Sequence, residues 1–344
     1  MNTLKHALTL AAAAAILSGC KPSKPVLHIF TWADYVKPEL VQQFEQEHGC
    51  RVMIDTFDSN EAMYNKLKAG ATGYDLIVPS SYYVDIMFQQ GMLQPIQHAL
   101  IPNLKYIDQQ YMRFATDAAC AHSVPYMMCN AGIAYRTDKV TNVTPTWAMF
   151  DRADLKGRMT LLKDMRETIG AALKFLGYSL NTTNDVELER AKDIVIRWKK
   201  NLAKFESEQY KNGIASGEFL LTHGYGGDIL QVMNENTNVA YVLPAEGVSI
   251  SCDHLVIPKD AGNVALAHAF INFIHEPKAA AANTAFIQYL CPNTGAYPLL
   301  SKEITENTTI FLPLELRQKS EAIKDLGANN TKYTRVWDLI LAAE

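Results

Sequence analysis

The sequence predicts an α/β protein whose opening segment is organised on a parallel sheet. Two patterns carry this. Apolar runs of strand length alternate with amphipathic helical segments, and the connections between them are short. The runs are apolar nearly throughout, as strands covered on both faces require. Size agrees: 344 residues leave room for roughly two domains of about 100–200 residues each. A hydrophobic fraction of 48%, with 18 Gly and 14 Pro, excludes disordered and collagen-like chains.

Val26 to Phe30 (VLHIF) reads as a buried strand. Pro38 opens a helix with Leu40, Val41 and Phe44 on one face, and Gly49 stops it. Arg51 to Phe57 is an alternating strand. Asn60 to Ala69 is a helix capped by Ser59 or Asn60 and closed by Gly70. Tyr74 to Pro79 is a third strand, followed by a helix through about Gln90. Further on, Met159 to Leu162 is a strand and Asp164 starts a helix to about Leu176. Val186 to Leu202 is a long amphipathic helix, with Val186, Leu188, Ala191, Ile194 and Trp198 in phase. Phe219 to His223 is a strand, Gly227 to Asn234 a helix, and Val239 to Leu243 a strand. His254 to Ile257 is another strand, leading to helices Val264 to Ile274 and Lys278 to Leu290 around Pro277. Thr334 to Ala343 closes the chain as an amphipathic helix.

The first 20 residues, MNTLKHALTLAAAAAILSGC, do not belong to this pattern. Lys5 supplies a positive start, and Ala7 to Leu17 is too short an apolar run to span a bilayer but suits a signal peptide. Leu17-Ser18-Gly19-Cys20 resembles the bacterial lipobox, in which cleavage leaves a diacylglyceryl Cys20 at the new N-terminus. Residues 1–19 are then signal peptide and 20–25 a lipid-anchored tether, holding the protein to a membrane at the cell envelope. The alternative is a plain secretory signal with an incidental Cys20.

The whole chain has 32 Lys+Arg, 36 Asp+Glu and a net charge of −4. Loss of residues 1–19 removes only Lys5 among the charges, leaving 325 residues at −5. A weakly acidic chain argues against a nucleic-acid partner, which selects a basic face. The remaining cysteines, Cys50, Cys120, Cys129, Cys252 and Cys291, are odd in number. Export permits disulfides, and Cys120 and Cys129, flanking an expected hairpin, are a candidate pair. No Cys/His spacing suggests zinc. Cys252-Asp253-His254 offers adjacent donors that a strand would split between its faces. No metal or cofactor is expected.

Ligands of parallel sheets bind at the carboxyl ends of strands. After the first strand stand Trp32, Asp34 and Tyr35, and after the third Ser80, Tyr82 and Tyr83. Core lids are the bland reading of such aromatics. Partly exposed rings there also suit an amphipathic or cationic ligand. Asp164 and Glu167 form a capping box, and the same carboxylates face a strand-to-helix turn. The glycines of His223-Gly224-Tyr225-Gly226-Gly227-Asp228 could cradle phosphate, but Asp228 stands where a phosphate would sit and favours a cation instead. Asp253 is a fourth candidate carboxylate. GxSxG, HExxH and GxxxxGK[ST] are absent, which lowers the prior for an enzyme.

FTWADYVKPELVQQFEQEHGCRVMIDTFDSNEAMYNKLKAG and YDLIVPSSYYVDIMFQQGMLQPI resemble the amino-terminal half of the periplasmic spermidine/putrescine-binding proteins of polyamine ABC transporters. Weaker similarity continues through VPYMMCNAGIAYR, LLKDMRETIGAALKFLGYSLNTT and DHLVIP, over nearly the whole mature chain. The resemblance implies a type II, two-lobed periplasmic binding protein fold hinged by crossing strands. Lobe one would be 26–130 with 254–300, and lobe two 131–253 with 301–344. It implies a polyamine site with an aromatic box of Trp32, Tyr35, Tyr82 and Tyr225, and acids Asp164, Glu167 and Asp253. Asp34 and Asp228 match acids of the putrescine-preferring branch, and Ser80 matches a polar position. The implied partners are a polyamine, a permease and an ATPase.

Three departures bear on ligand length. Tyr225 stands where relatives often carry Trp, Ser251 where they often have an aromatic residue, and Ile323 where the spermidine-preferring branch places a polar contact. A receptor for another organic cation or small solute, and an exported adhesin or signalling protein, are the competing readings.

Overall fold

The computed structural model describes residues 24–343, so the leader and Cys20 lie outside it. Its first half opens with β1 (Val26–Thr31), α1 (Pro38–His48), β2 (Arg51–Thr56), α2 (Asn60–Lys68), β3 (Leu76–Ile77) and α3 (Ser81–Gln89). β1 runs parallel to both β2 and β3, as the alternation of elements predicts. Helix α1 begins with Pro38, whose missing N–H is no loss in a first turn. It ends where Gly49 adopts φ 59° and returns its N–H to the Glu45 carbonyl. Ser59 caps α2 by accepting from the Ala62 N–H.

β4 (Ser123–Arg136) is the pivot of the molecule. Its first part, Ser123 to Asn130, pairs antiparallel with β9 (Ile250–Val256), which in turn pairs with β3. From Ala131 it changes partners, to β7 (Leu221–Tyr225) and β8 (Val239–Val242). β7 leads to β5 (Met159–Leu161) and β6 (Leu202–Phe205) in parallel register. The sheet order is β2-β1-β3-β9-β4-β7-β5-β6, with β8 on β4. Each half has its own core. One gathers Leu27, Phe44, Phe270 and Cys252, the other Trp147, Trp198, Val195 and Tyr333.

The second half carries α4 (Met165–Phe175), α5 (Asp185–Lys199), α6 (Tyr210–Ser216) and α7 (Gly226–Glu235). α8 (Val264–Ile274) and α9 (Pro277–Ile287) return to the first core. α10 (Lys302–Thr305), α11 (Leu314–Lys319) and α12 (Asn330–Ala342) complete the chain. Ile304 and Ile310 join the first core, whereas Tyr333, Val336 and Ile340 of α12 fill the second.

Several expectations are corrected. The hairpin anticipated between Cys120 and Cys129 is one continuous strand, because residues 123–136 find long-range partners along their whole length. Both cysteines are free thiols, as are Cys50, Cys252 and Cys291. The helix expected to reach Leu202 stops at Lys199, and Leu202 instead opens β6 against β5. β9 starts at Ile250 rather than His254. β3 is only Leu76–Ile77 of the predicted Tyr74–Pro79 run. No helix among the described residues is long and apolar enough to cross a membrane.

Candidate functional site

Three groups of polar side chains converge where β4 changes partners. The first centres on Asp253, in β9 and only 6% exposed. Its Oδ2 accepts from the Tyr35 hydroxyl at 2.5 Å and its Oδ1 from Ser80 Oγ at 2.5 Å. Ser80 is fixed in turn by Asn60, which donates to Ser80 Oγ at 3.1 Å and accepts the Ser80 N–H at 3.0 Å. Strand alternation splits the Cys252-Asp253-His254 triplet as expected. Cys252 turns into the core, and His254 bonds Ser81 Oγ and Ser123 Oγ. Burial pushes the Asp253 carboxyl up to about 6, against the two hydroxyl bonds that favour its charged form.

The second group lies at the start of α4. Asp164 is the N-cap, its Oδ1 accepting from the Arg166 and Glu167 N–H groups at 2.8 and 2.9 Å. Glu167 is buried, and its Oε2 accepts from Ser249 Oγ at 2.5 Å. Burial raises both carboxyls above the ordinary range, and the Asp164 charge raises Glu167 further. Arg166 does not neutralise them by ion pairing. Its guanidinium bonds the Lys324 and Leu180 carbonyls and Asn181 Oδ1, over the Tyr333 ring.

The third group surrounds Asp228 at the start of α7. The Tyr210 hydroxyl donates to its Oδ2 at 2.5 Å, Tyr289 reaches its Oδ1 at 3.4 Å, and Lys211 Nζ stands 3.5 Å away. Asp228 is therefore an already paired acid, which its position in the sequence did not reveal. The glycine before it has a packing reason rather than a phosphate-binding one: a Cβ on Gly227 would lie 1.9 Å from Cε1 of Tyr289.

The aromatics tie these groups together. Trp32 is partly exposed, donates its indole N–H to the Val78 carbonyl at 2.9 Å, and meets Phe57 edge-on. Tyr82 is partly exposed at the start of α3, and burial together with the charges of Asp164 and Glu61 raises its hydroxyl. Tyr225 ends β7, where burial, Asp164 and Glu167 raise its hydroxyl. Tyr289 packs edge-on against Tyr35, with ring centroids 5.8 Å apart. The structure thus gathers nine expected residues about the crossing: Trp32, Tyr35, Ser80, Tyr82, Asp164, Glu167, Tyr225, Asp228 and Asp253. Asp34 stands apart. It is exposed, in a left-handed turn at φ 55°, and has no side-chain partner among the described residues.

Sequence reasoning missed four residues here. Tyr289 follows Gln288, a left-handed C-cap, and nothing local marks it as facing the crossing. Ser249 and Cys129 sit on the crossing segments, with Cys129 Sγ 2.7 Å from Ser251 Oγ. Glu61 stands in the first turn of α2, where loss of solvation and the charge of Asp164 raise its carboxyl. Its signal was the SNE sequence, which reads only as a helix start. Among the described residues, no group of three or more His, Cys, Asp or Glu side chains is arranged to hold a metal ion.

The arrangement can bind a cation with an apolar body. Acids on both sides of the crossing supply acceptors, and rings supply apolar walls and π-faces. Residues 39–311 match the family described as bacterial extracellular solute-binding protein. The putrescine-binding periplasmic protein of Pseudomonas aeruginosa is 32% identical over 97% of this chain and 96% of its own. A solved spermidine/putrescine ABC transporter substrate-binding protein of Streptococcus pneumoniae superposes with a TM-score of 0.84 at 31% identity, covering 92% of this chain and 98% of that one. A lipoprotein of Treponema pallidum gives 0.82 at 36%, covering 92% and 99%. With its two α/β halves joined by crossing strands, the chain belongs to the bacterial extracellular solute-binding protein family.

Proposed function

We propose that the protein is an extracytoplasmic receptor that binds polyamines, putrescine and/or spermidine, between its lobes and delivers them to an ABC permease. One observation carries the ligand class. Asp253 and Glu167 are buried carboxyls whose only side-chain partners among the described residues are hydroxyl donors. A buried negative charge without a cation is costly, and an ammonium group supplies the missing partner. Trp32, Tyr35, Tyr82 and Tyr225 would line the methylene chain. Asp253 with Ser80 would take one ammonium group, and Asp164 with Glu167 another. Asp228, shared with Lys211, and exposed Asp34 would act as outer acids. The relatives' names support the same class.

The lobes on this reading are those expected from the sequence, with two bounds moved. β9 pairs with β4 from Ile250, which favours starting the second segment of lobe one there rather than at 254. Ile304 and Ile310 in the first core favour carrying it to about 311 rather than 300. Periplasmic location, a permease and an ATPase as partners, and a lipid anchor at Cys20 follow the same reading. The resemblance to a lipoprotein supports the anchor. Binding and release rather than catalysis is its function. Titration calorimetry with putrescine, spermidine and spermine tests the proposal. Saturable heat with at least one of them is expected, and no heat with any of the three rules it out.

A further inference from the structure

Ser249 precedes β9 and is 7% exposed. It sits at the second crossing between the halves and forms an isolated parallel bridge with Glu321. Around that bridge, the Ile250 N–H donates to the Glu321 carbonyl at 2.9 Å, and the Glu321 N–H to the Val248 carbonyl at 3.2 Å. The Glu321 side chain is itself held, by Lys174 of α4 through a close ion pair and by Ser179 Oγ at 2.5 Å. Ser249 is therefore set on a backbone tied at several points, and its hydroxyl meets Glu167 Oε2 at 2.5 Å. Glu167 and Lys174 lie two turns apart on α4, so both ends of that helix are bound to the same crossing.

We propose that Ser249 is a positioning residue for cation capture: its hydroxyl, donated to Oε2, fixes the orientation in which the Glu167 carboxyl meets an ammonium group. This rests on the polyamine reading of the site.

The groups facing Glu167 are few. Asp164 and Arg166 share its turn, and Tyr225, Tyr241 and Cys129 approach from β7, β8 and β4. Arg166 is turned onto carbonyls and Asn181. Burial and Asp164 favour the protonated carboxyl, while the Ser249 hydroxyl and the Arg166 charge oppose them. An ammonium ion that pairs with Glu167 favours its ionised form, so binding drives a proton from the carboxyl to solvent wherever burial and Asp164 have kept it protonated. Loss of the hydroxyl makes that proton harder to displace.

Calorimetry with putrescine and spermidine, in two buffers of different ionisation enthalpy and at several pH values, tests this. Wild-type protein should release protons on binding at pH 7.5. Ser249→Ala should weaken binding about tenfold at pH 7, the scale of one hydrogen bond to a charged group, and the deficit should shrink as pH rises to 8.5. Ser249→Thr should restore both affinity and pH profile. A deficit independent of pH, or none, overturns the proposal, because a merely structural serine would not move the profile. Glu167→Gln gives a second reading should Ser249→Ala not fold. Its proton release on binding should fall below that of wild type, and release equal to wild type would sink the inference. Absence of binding by wild-type protein overturns the receptor reading and this proposal together. Wild-type binding with an unmoved Ser249→Ala profile overturns this proposal alone.

Discussion

Replacing Asp253 by Asn should make the empty protein more stable and its ligand binding weaker. Burial lifts the Asp253 carboxyl from the ordinary 3.8 to about 6. At ~1.36 kcal/mol per tenfold change in proton affinity, its ionised form costs the folded state about 3 kcal/mol above that pH. The sign follows from the direction. A carboxyl raised in the folded state stabilises it fully below 3.8, and that contribution is lost as pH rises through about 6. Asn removes the charge, but it replaces one of the two acceptor oxygens, which Tyr35 and Ser80 reach separately, by an NH2 donor, so one of these bonds cannot form as it stands. The lost bond returns about 1 kcal/mol, leaving a net gain of about 1–2 kcal/mol near neutral pH. The expected outcome is a melting temperature raised by about 2–4 °C per kcal/mol gained, with a margin over wild type that grows between pH 4 and pH 7. Polyamine affinity should fall by about 1.5–3 kcal/mol, the scale of a hydrogen bond to a charged group. Thermal unfolding of ligand-free protein and calorimetry give the two numbers. A destabilised mutant that binds as wild type would refute the assignment of Asp253 as an unpaired buried acid awaiting a cation.

Two further predictions separate binding from folding. Trp32 is partly exposed, whereas Tyr83 is buried in the core with Phe30, Val84 and Met87. Trp32→Ala should therefore lower polyamine affinity more than Tyr83→Ala, and Tyr83→Ala should cost about 3–5 kcal/mol of stability. Equal effects on affinity would undo the aromatic wall. His223 is buried edge-on against Trp147, with both ring nitrogens unpartnered among the described residues, and burial pushes it down to about 3. Its neutral form is adequate at pH 7, so stability is lost as pH falls from about 6.5 toward about 3. His223→Phe should make the acid unfolding limb shallower by one proton, about 1.4 kcal/mol per pH unit, and an unchanged slope would contradict this.

Much of the secondary structure was legible because its signals are local. Pro38 and Gly49 bound α1, Ser59 caps α2, and Asp164 caps α4, all through groups a few residues apart. The parallel pairing of β1 with β2 and β3 follows from alternating elements and short connections. The site was partly legible for the same reason, since strand ends and helix starts are where Trp32, Tyr35, Ser80, Tyr82, Asp164 and Glu167 fall. Reading Leu202 into a helix failed because an apolar residue in phase also suits a strand, and only pairing with β5 decided between them.

By itself, then, the sequence determined which segments become helices and strands and which acids and rings stand at their ends. Capping, glycine conformation and hydrophobic period act over a few residues and leave their mark in the chain. Tertiary structure alone decided which of those acids remain without a cation. Asp228 is met by Lys211 and Tyr210, Asp253 by Tyr35 and Ser80, and Glu167 by Ser249, each from a separate element. The partner switch of β4 between Asn130 and Ala131 is of the same kind. Such contacts join residues as far apart as Tyr35 and Asp253, 218 positions along the chain, and no local propensity encodes a pairing at that separation.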